Sequence, residues 1–123
     1  YKQAIQINPD HAKAHYGLGV VYDILGENHK AIESNKQAIR INPDYAMAHS
    51  NLGLAYGKLG EYKKAIESCK QAIRLNPDFA NAHLLLGMIY NSTGDRGNAL
   101  EEYKILMKVD KENANKLFNE IYK

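Results

Sequence analysis

His11 and His15 stand four residues apart. On a helix that spacing turns two imidazoles to one side, where they could share a metal ion. The competing reading comes from His15, His49 and His83, which recur at one constant interval. A residue that returns in this way answers to packing, and His11 holds the place taken by Tyr45 and Phe79 in later intervals. No metal and no cofactor are therefore expected. Cys69 is the single cysteine; it has no partner for an internal disulfide, and its place faces a core, so a buried, inert thiol is expected. Gly17-Leu18-Gly19 lacks the third glycine of a nucleotide loop and follows no strand. Asn91-Ser92-Thr93 fits a glycosylation acceptor, but nothing else in the chain supports a secretory route. The recurring histidines lie on separate units with no nucleophile beside them, so no catalytic set forms and no enzyme activity is expected.

Composition narrows the classes further. The chain has 123 residues, 45% apolar and 24% charged, near ordinary globular averages and against disorder. Nine tyrosines supply large apolar surfaces in the absence of tryptophan. Sixteen basic and fourteen acidic residues give a net charge of +2, and they interleave. No basic stripe suited to phosphates results, so nucleic acid is not an expected partner. No apolar run reaches the length of a membrane helix, and no signal peptide is visible. A cytoplasmic protein is expected.

The positioning elements follow from a repeat. Asn-Pro-Asp occurs at Asn8-Pro9-Asp10, Asn42-Pro43-Asp44 and Asn76-Pro77-Asp78. Residues 12–45 and 46–79 are identical at 22 of 34 positions; residues 46–79 and 80–113 agree at 10, mostly in the first half. Each unit reads as two helices. Leu52, Ala55, Tyr56 and Leu59 mark one apolar stripe; Tyr62, Ala65, Ile66, Cys69, Ala72 and Ile73 mark another. Gly60 ends the first helix, as do Gly26 and Gly94 in their units. Pro43 and Pro77 stop the second helix, and Asp44 and Asp78 are expected to cap the next. Gly19, Gly53 and Gly87 recur inside a helix, where glycine costs roughly 1 kcal/mol against alanine. Their retention predicts a helix contact too close for a side chain, with Tyr22, Tyr56 and Tyr90 filling the space beside it. Ala31, Ala65 and Ala99 recur in the second helix.

The pattern Leu52-Gly53, Tyr56, Gly60, Tyr62, Ala65, Ala72 and Pro77, returning every ~34 residues, resembles the tetratricopeptide repeat. The resemblance covers nearly the whole chain. It implies an all-α fold: a right-handed α-solenoid of helix-turn-helix repeats with a C-terminal capping helix. The units are residues 1–9 (part of a preceding repeat), 12–45, 46–79 and 80–113 (full repeats) and 114–123 (capping helix). The chain departs from the family at the fourth place, where His15, His49 and His83 replace a larger residue. At the twenty-fourth place Asn35 and Cys69 replace an aromatic, and a buried Asn35 amide would need partners. In the third repeat Arg96, Leu106 and Lys111 replace the usual tyrosine, alanine and proline, as suits a terminal unit.

The resemblance also implies a concave groove lined by the first helices. Its facing places hold Lys13, Tyr16, Gly17, Val20 and Asp23, then Met47, Ser50, Asn51, Leu54 and Gly57, then Asn81, Leu84, Leu85, Met88 and Asn91. These are apolar in the middle with polar edges, and Leu54, Leu84 and Met88 would be exposed without a partner. A peptide or protein segment held there is the expected ligand, with main-chain contacts from Asn51, Asn81 and Asn91. The carboxylate clamp of some relatives is not matched: only Asn51 fits, while Tyr16, Val20, Asn81 and Leu85 occupy its other places. The asparagine ladder of sugar-transferase repeats has one rung here, between Gly17 and Leu85. The alternative readings are an assembly element, or an accessory region of a larger enzyme such as a glycosyltransferase.

The ends carry two expectations. Tyr1, Ala4 and Ile5 match the end of a second helix whose first helix is missing, so the parent chain is expected to continue upstream. Self-association, if any, is expected through that N-terminal edge. Ala114, Leu117, Phe118, Ile121 and Tyr122 form an apolar stripe opposite Asn115, Lys116, Asn119, Glu120 and Lys123, as suits a solubilising cap that ends the array.

Overall fold

The computed structural model describes residues 9–123. The expectations that rest on Tyr1, Ala4 and Ile5 lie outside them. Seven helices run through the described residues: α1 (Pro9–Ile24), α2 (Asn28–Ile41), α3 (Ala46–Lys58), α4 (Tyr62–Leu75), α5 (Ala80–Ser92), α6 (Arg96–Val109) and α7 (Lys111–Ile121). They pair as α1–α2, α3–α4 and α5–α6, and each pair packs on the next through α2–α3 and α4–α5. The first helices also touch one another, α1 with α3 and α3 with α5. They therefore form one continuous wall, with the second helices outside it. Helix α7 packs on both α5 and α6, where a further first helix would lie.

Two kinds of turn make this stacking. Within a pair, the first helix ends in a left-handed glycine: Gly60 has φ 80°, with Gly26 and Gly94 alike. At that turn Glu61 N donates to Tyr56 O at 2.9 Å and Gly60 N to Gly57 O at 3.0 Å, the paired bonds of a Schellman ending. Between pairs, Tyr45 N donates to Asn42 O and Phe79 N to Asn76 O, closing a β-turn around each proline. This overturns the capping role expected of Asp44 and Asp78. The turn holds them short of the helix, the N-cap places fall to Tyr45 and Phe79, and neither makes a side-chain cap bond. The side-chain bond in the first turn comes from Asn42 Oδ1, which accepts from Asp44 N at 3.2 Å. Aspartate caps do occur where the repeat pattern breaks. Asp95 accepts from Asn98 N to start α6, and Asp110 from Asn113 N to start α7.

Small residues set the spacing of the core. Ala31, Ala38, Ala48, Ala55, Ala65, Ala72, Ala82 and Ala99 are completely buried. The recurring glycines mark the closest approaches. A Cβ on Gly53 would stand 2.8 Å from Cys69 Sγ and 3.2 Å from the Ala65 carbonyl oxygen. Gly19 faces Asn35 in the same way. Gly87 faces Leu117 of the cap instead. Asn35 is buried; its Nδ2 donates to Ala31 O at 2.9 Å, and its Oδ1 has no partner among the described residues. Burial pushes the Cys69 thiol up to about 12, with the Glu102 carboxylate adding to it, so the group stays protonated near neutrality.

The C-terminal unit differs from expectation in two ways. The cap begins at Lys111, not residue 114, because Asp110 serves as both C-cap of α6 and N-cap of α7. Without a proline, the chain turns from one helix into the next through a single residue. Ala114, Leu117 and Ile121 are buried with Leu106, but Phe118 and Tyr122 are exposed. They stack with each other at 4.7 Å, Phe118 also on Tyr103 and Tyr122 under Arg96. The outer face of the cap is therefore partly aromatic rather than polar.

Candidate binding groove

Turn chemistry fixes the orientation of the inner wall. His49 Nε2 donates to Pro43 O at 2.9 Å, and His83 Nε2 to Pro77 O at 2.7 Å. This is what His49 and His83 do: from the first turn of a first helix each ties down the proline turn before it. The interval between histidines hinted at a structural role, but the partner, on the turn before the helix, was not legible from spacing alone. In the third repeat His83 gains a second bond, Nδ1 to Glu102 Oε1 at 2.6 Å. The corresponding residues of the earlier repeats are Ser34 and Ser68. The hydrogen bond that His83 donates to Glu102, with the one to the Pro77 carbonyl adding to it, holds the buried imidazole above its usual pKa against the opposing effect of burial. Among the described residues, no three His, Cys, Asp or Glu side chains gather as metal ligands.

Helices α3 and α5 flank an open cavity of about 300 Å³ lined by Ser50, Asn51, Leu54, Asn81, Leu84, Leu85 and Met88. That is at the small end of the range for ligand sites, roughly 300–1,000 Å³. All seven come from the groove places. A second depression of about 180 Å³ shares Leu54, Leu85 and Met88 and runs on past Gly57 to Lys58 and Tyr62. The two form a trough along the seam between adjacent repeats. A larger dent of about 460 Å³ lies over Gly60–Lys64; five consecutive residues make it, so it has no facing wall and brings no distant side chains together.

The floor of the trough is apolar because Leu54, Leu84, Leu85 and Met88 stand half-buried between the stacked first helices. Its polar side chains are the Asn51 and Asn81 amides and the buried Ser50 hydroxyl. Asn81 Oδ1 accepts from Asn113 Nδ2 at 3.4 Å, which leaves the Asn81 amino group for a ligand. The Asn51 carboxamide has no hydrogen-bond partner among the described residues. No ionisable side chain lines the main cavity. The nearest lysine along the trough, Lys58, is held by Asp23 at 2.8 Å.

The other expected groove residues lie elsewhere. Asn91 Nδ2 donates to Glu120 O at 3.3 Å, so the cap occupies the amide expected to hold a ligand's main chain. Tyr16 packs against the Tyr45 ring at 5.3 Å. Lys13 and Met47 are exposed and Val20 half-buried, all outside the cavity. Asp23 is tied to Lys58, and Gly17 is exposed with open space where a Cβ would be.

Comparison with known proteins agrees with the repeat fold. Profiles described as "Tetratricopeptide repeat" match residues 46–79 and 80–113. One described as "TPR repeat" matches residues 1–23 and 24–60. No curated protein matches the chain. Among solved structures, MamA is 32% identical over 88% of this chain and 63% of its own, with a TM-score of 0.78. This chain thus spans less than two thirds of that relative. The first TPR of Spaghetti (RPAP3), solved with the HSP90 peptide SRMEEVD, is 20% identical over 94% of each chain, with a TM-score of 0.85. The TPR2AB domain of yeast Sti1, solved with pHSP90, is 24% identical over 94% of this chain and 47% of its own, with a TM-score of 0.88. At those identities the last two show a shared fold.

Proposed function

The chain belongs to the tetratricopeptide repeat family, and from that premise we propose that it is a non-catalytic scaffold that holds a peptide or protein segment in the trough between α3 and α5. The observation that carries this reading is the convergence of seven groove residues on one cavity with an apolar floor and amide edges. Half-buried leucines and a methionine facing open space are the surface a partner covers, and methionine adapts to varied side chains. Peptides seated on Spaghetti and Sti1 support the use of such a fold for capture. The test is paired substitution of Leu54 and Met88 by glutamate. Helical circular dichroism should persist while partner capture is lost; loss of helicity would make these residues core and remove the reading's main support.

A second reading, self-association of two copies, is favoured by α1. Leu18, Val21, Ile24 and Leu25 are 43%, 50%, 77% and 63% exposed. Leu52 and Ala55, which stand where Leu18 and Val21 do, are buried, as are Leu86 and Ile89. A preceding helix pair covers them there; on α1 the same face would be covered by whatever precedes it in the chain or by a second copy.

A further inference from the structure

Resting on the groove reading above, we infer that the trough takes an uncharged, extended segment, anchored by one apolar side chain and held along its main chain by Asn51 and Asn81. Charge decides the first point. A carboxylate seated in this open cavity would exchange part of its water for apolar side chains and meet no cation, because no ionisable group lines it and the adjoining Lys58 is paired with Asp23. Burying an unpaired charge is strongly unfavourable. An acidic tail of the kind seated on Spaghetti is therefore rejected by the site. The amides decide the second point. Asn51 offers an unpartnered donor and acceptor, and Asn81 offers its amino group. An extended main chain has free N–H and C=O groups to meet them, whereas a helix has used its own. The wall of Leu54, Leu84, Leu85 and Met88 then takes the side chain that points inward.

The experiment uses the 123-residue chain and positional-scanning pools of N-acetylated, C-amidated heptapeptides, read by fluorescence polarisation and by amide chemical shifts. The peptide SRMEEVD, with a free C-terminus, is the acidic probe. Pools with a central leucine, isoleucine or methionine should bind at least about tenfold tighter than SRMEEVD or pools with central aspartate or glutamate. Shifts should centre on α3 and α5. Asn51→Ala, on a half-exposed side chain, should weaken the neutral pools roughly 2- to 10-fold. Leu85→Lys, with retained helicity, should reverse the preference towards SRMEEVD. Equal or tighter binding of SRMEEVD to the wild-type chain, with shifts in the trough, would overturn this inference and leave the groove reading standing. Absence of binding by every probe, or shifts confined to other surfaces, would overturn both.

Discussion

Gly53 and His83 show how single residues hold this repeat together. At Gly53 there is no room for a side chain, since a Cβ would meet Cys69 Sγ and the Ala65 carbonyl. The carbonyl belongs to the α4 backbone and cannot swing aside. Gly53→Leu should cost at least about 1–3 kcal/mol, the usual range for overpacking, and lower the melting temperature. An unchanged melting temperature would contradict the close-contact account. His83 brings a pH dependence. Its folded pKa is raised above the ordinary 6.5 by the Glu102 carboxylate, so folding favours the protonated ring. That contribution is fully present below 6.5 and is lost as pH rises through the raised value. Glu102→Gln should therefore destabilise the chain most on the acid side of that window and least above it. Denaturation of both chains across the window measures the gap; a gap that stays constant would dismiss the charged pair. Of these two roles, the glycine was legible in the sequence, because its helix cost is hard to explain otherwise. The His83–Glu102 bond was not, because it needs two helices brought together.

The helices carry their own start and stop chemistry. Schellman endings at Gly26, Gly60 and Gly94 were readable because only a left-handed residue fits there. The starts of α3 and α5 were misread, because Asp44 and Asp78 have the chemistry of caps but sit inside β-turns closed by Asn42 and Asn76. The aspartates that do cap, Asp95 and Asp110, lie outside the Asn-Pro-Asp pattern. Asp110 is the more consequential, since its Oδ1 accepts from Asn113 N at the one residue joining α6 to α7. Asp110→Ala should lower stability by about 1 kcal/mol, as cap removal generally does. Amide exchange should quicken in α7 before α3; exchange quickening equally in both would show that the cap helix does not open on its own.

Across the described residues, the helix pairs pack on one another in chain order. At one end α7 lies on α5 and α6. At the other, Val21 stands exposed where Ala55 and Ile89 are buried, and Leu25 stands exposed where Leu59 is half-buried. Solenoids gain much of their stability from such interfaces. If copies associate through this face, charged substitutions at Val21 and Leu25 should shift any dimer towards monomer in sedimentation. A dimer that survives them but dissociates when Phe118 or Tyr122 is altered would place the contact on the aromatic face of the cap.

The sequence by itself determined the repeat length, the helix pairs and the glycine contacts, because each is a local or periodic constraint that returns from unit to unit. Of the expected groove places, seven from α3 and α5 line one cavity, and those from α1 do not. Which places converge depends on what the neighbours do: Tyr16 turns to Tyr45, and Asn91 is taken by the cap. The free Asn51 amide, the pairing of Lys58 with Asp23 and the start of the cap at Lys111 were likewise decided only by tertiary structure. Each of them turns on the distance between groups on different helices, which periodicity along one chain does not encode.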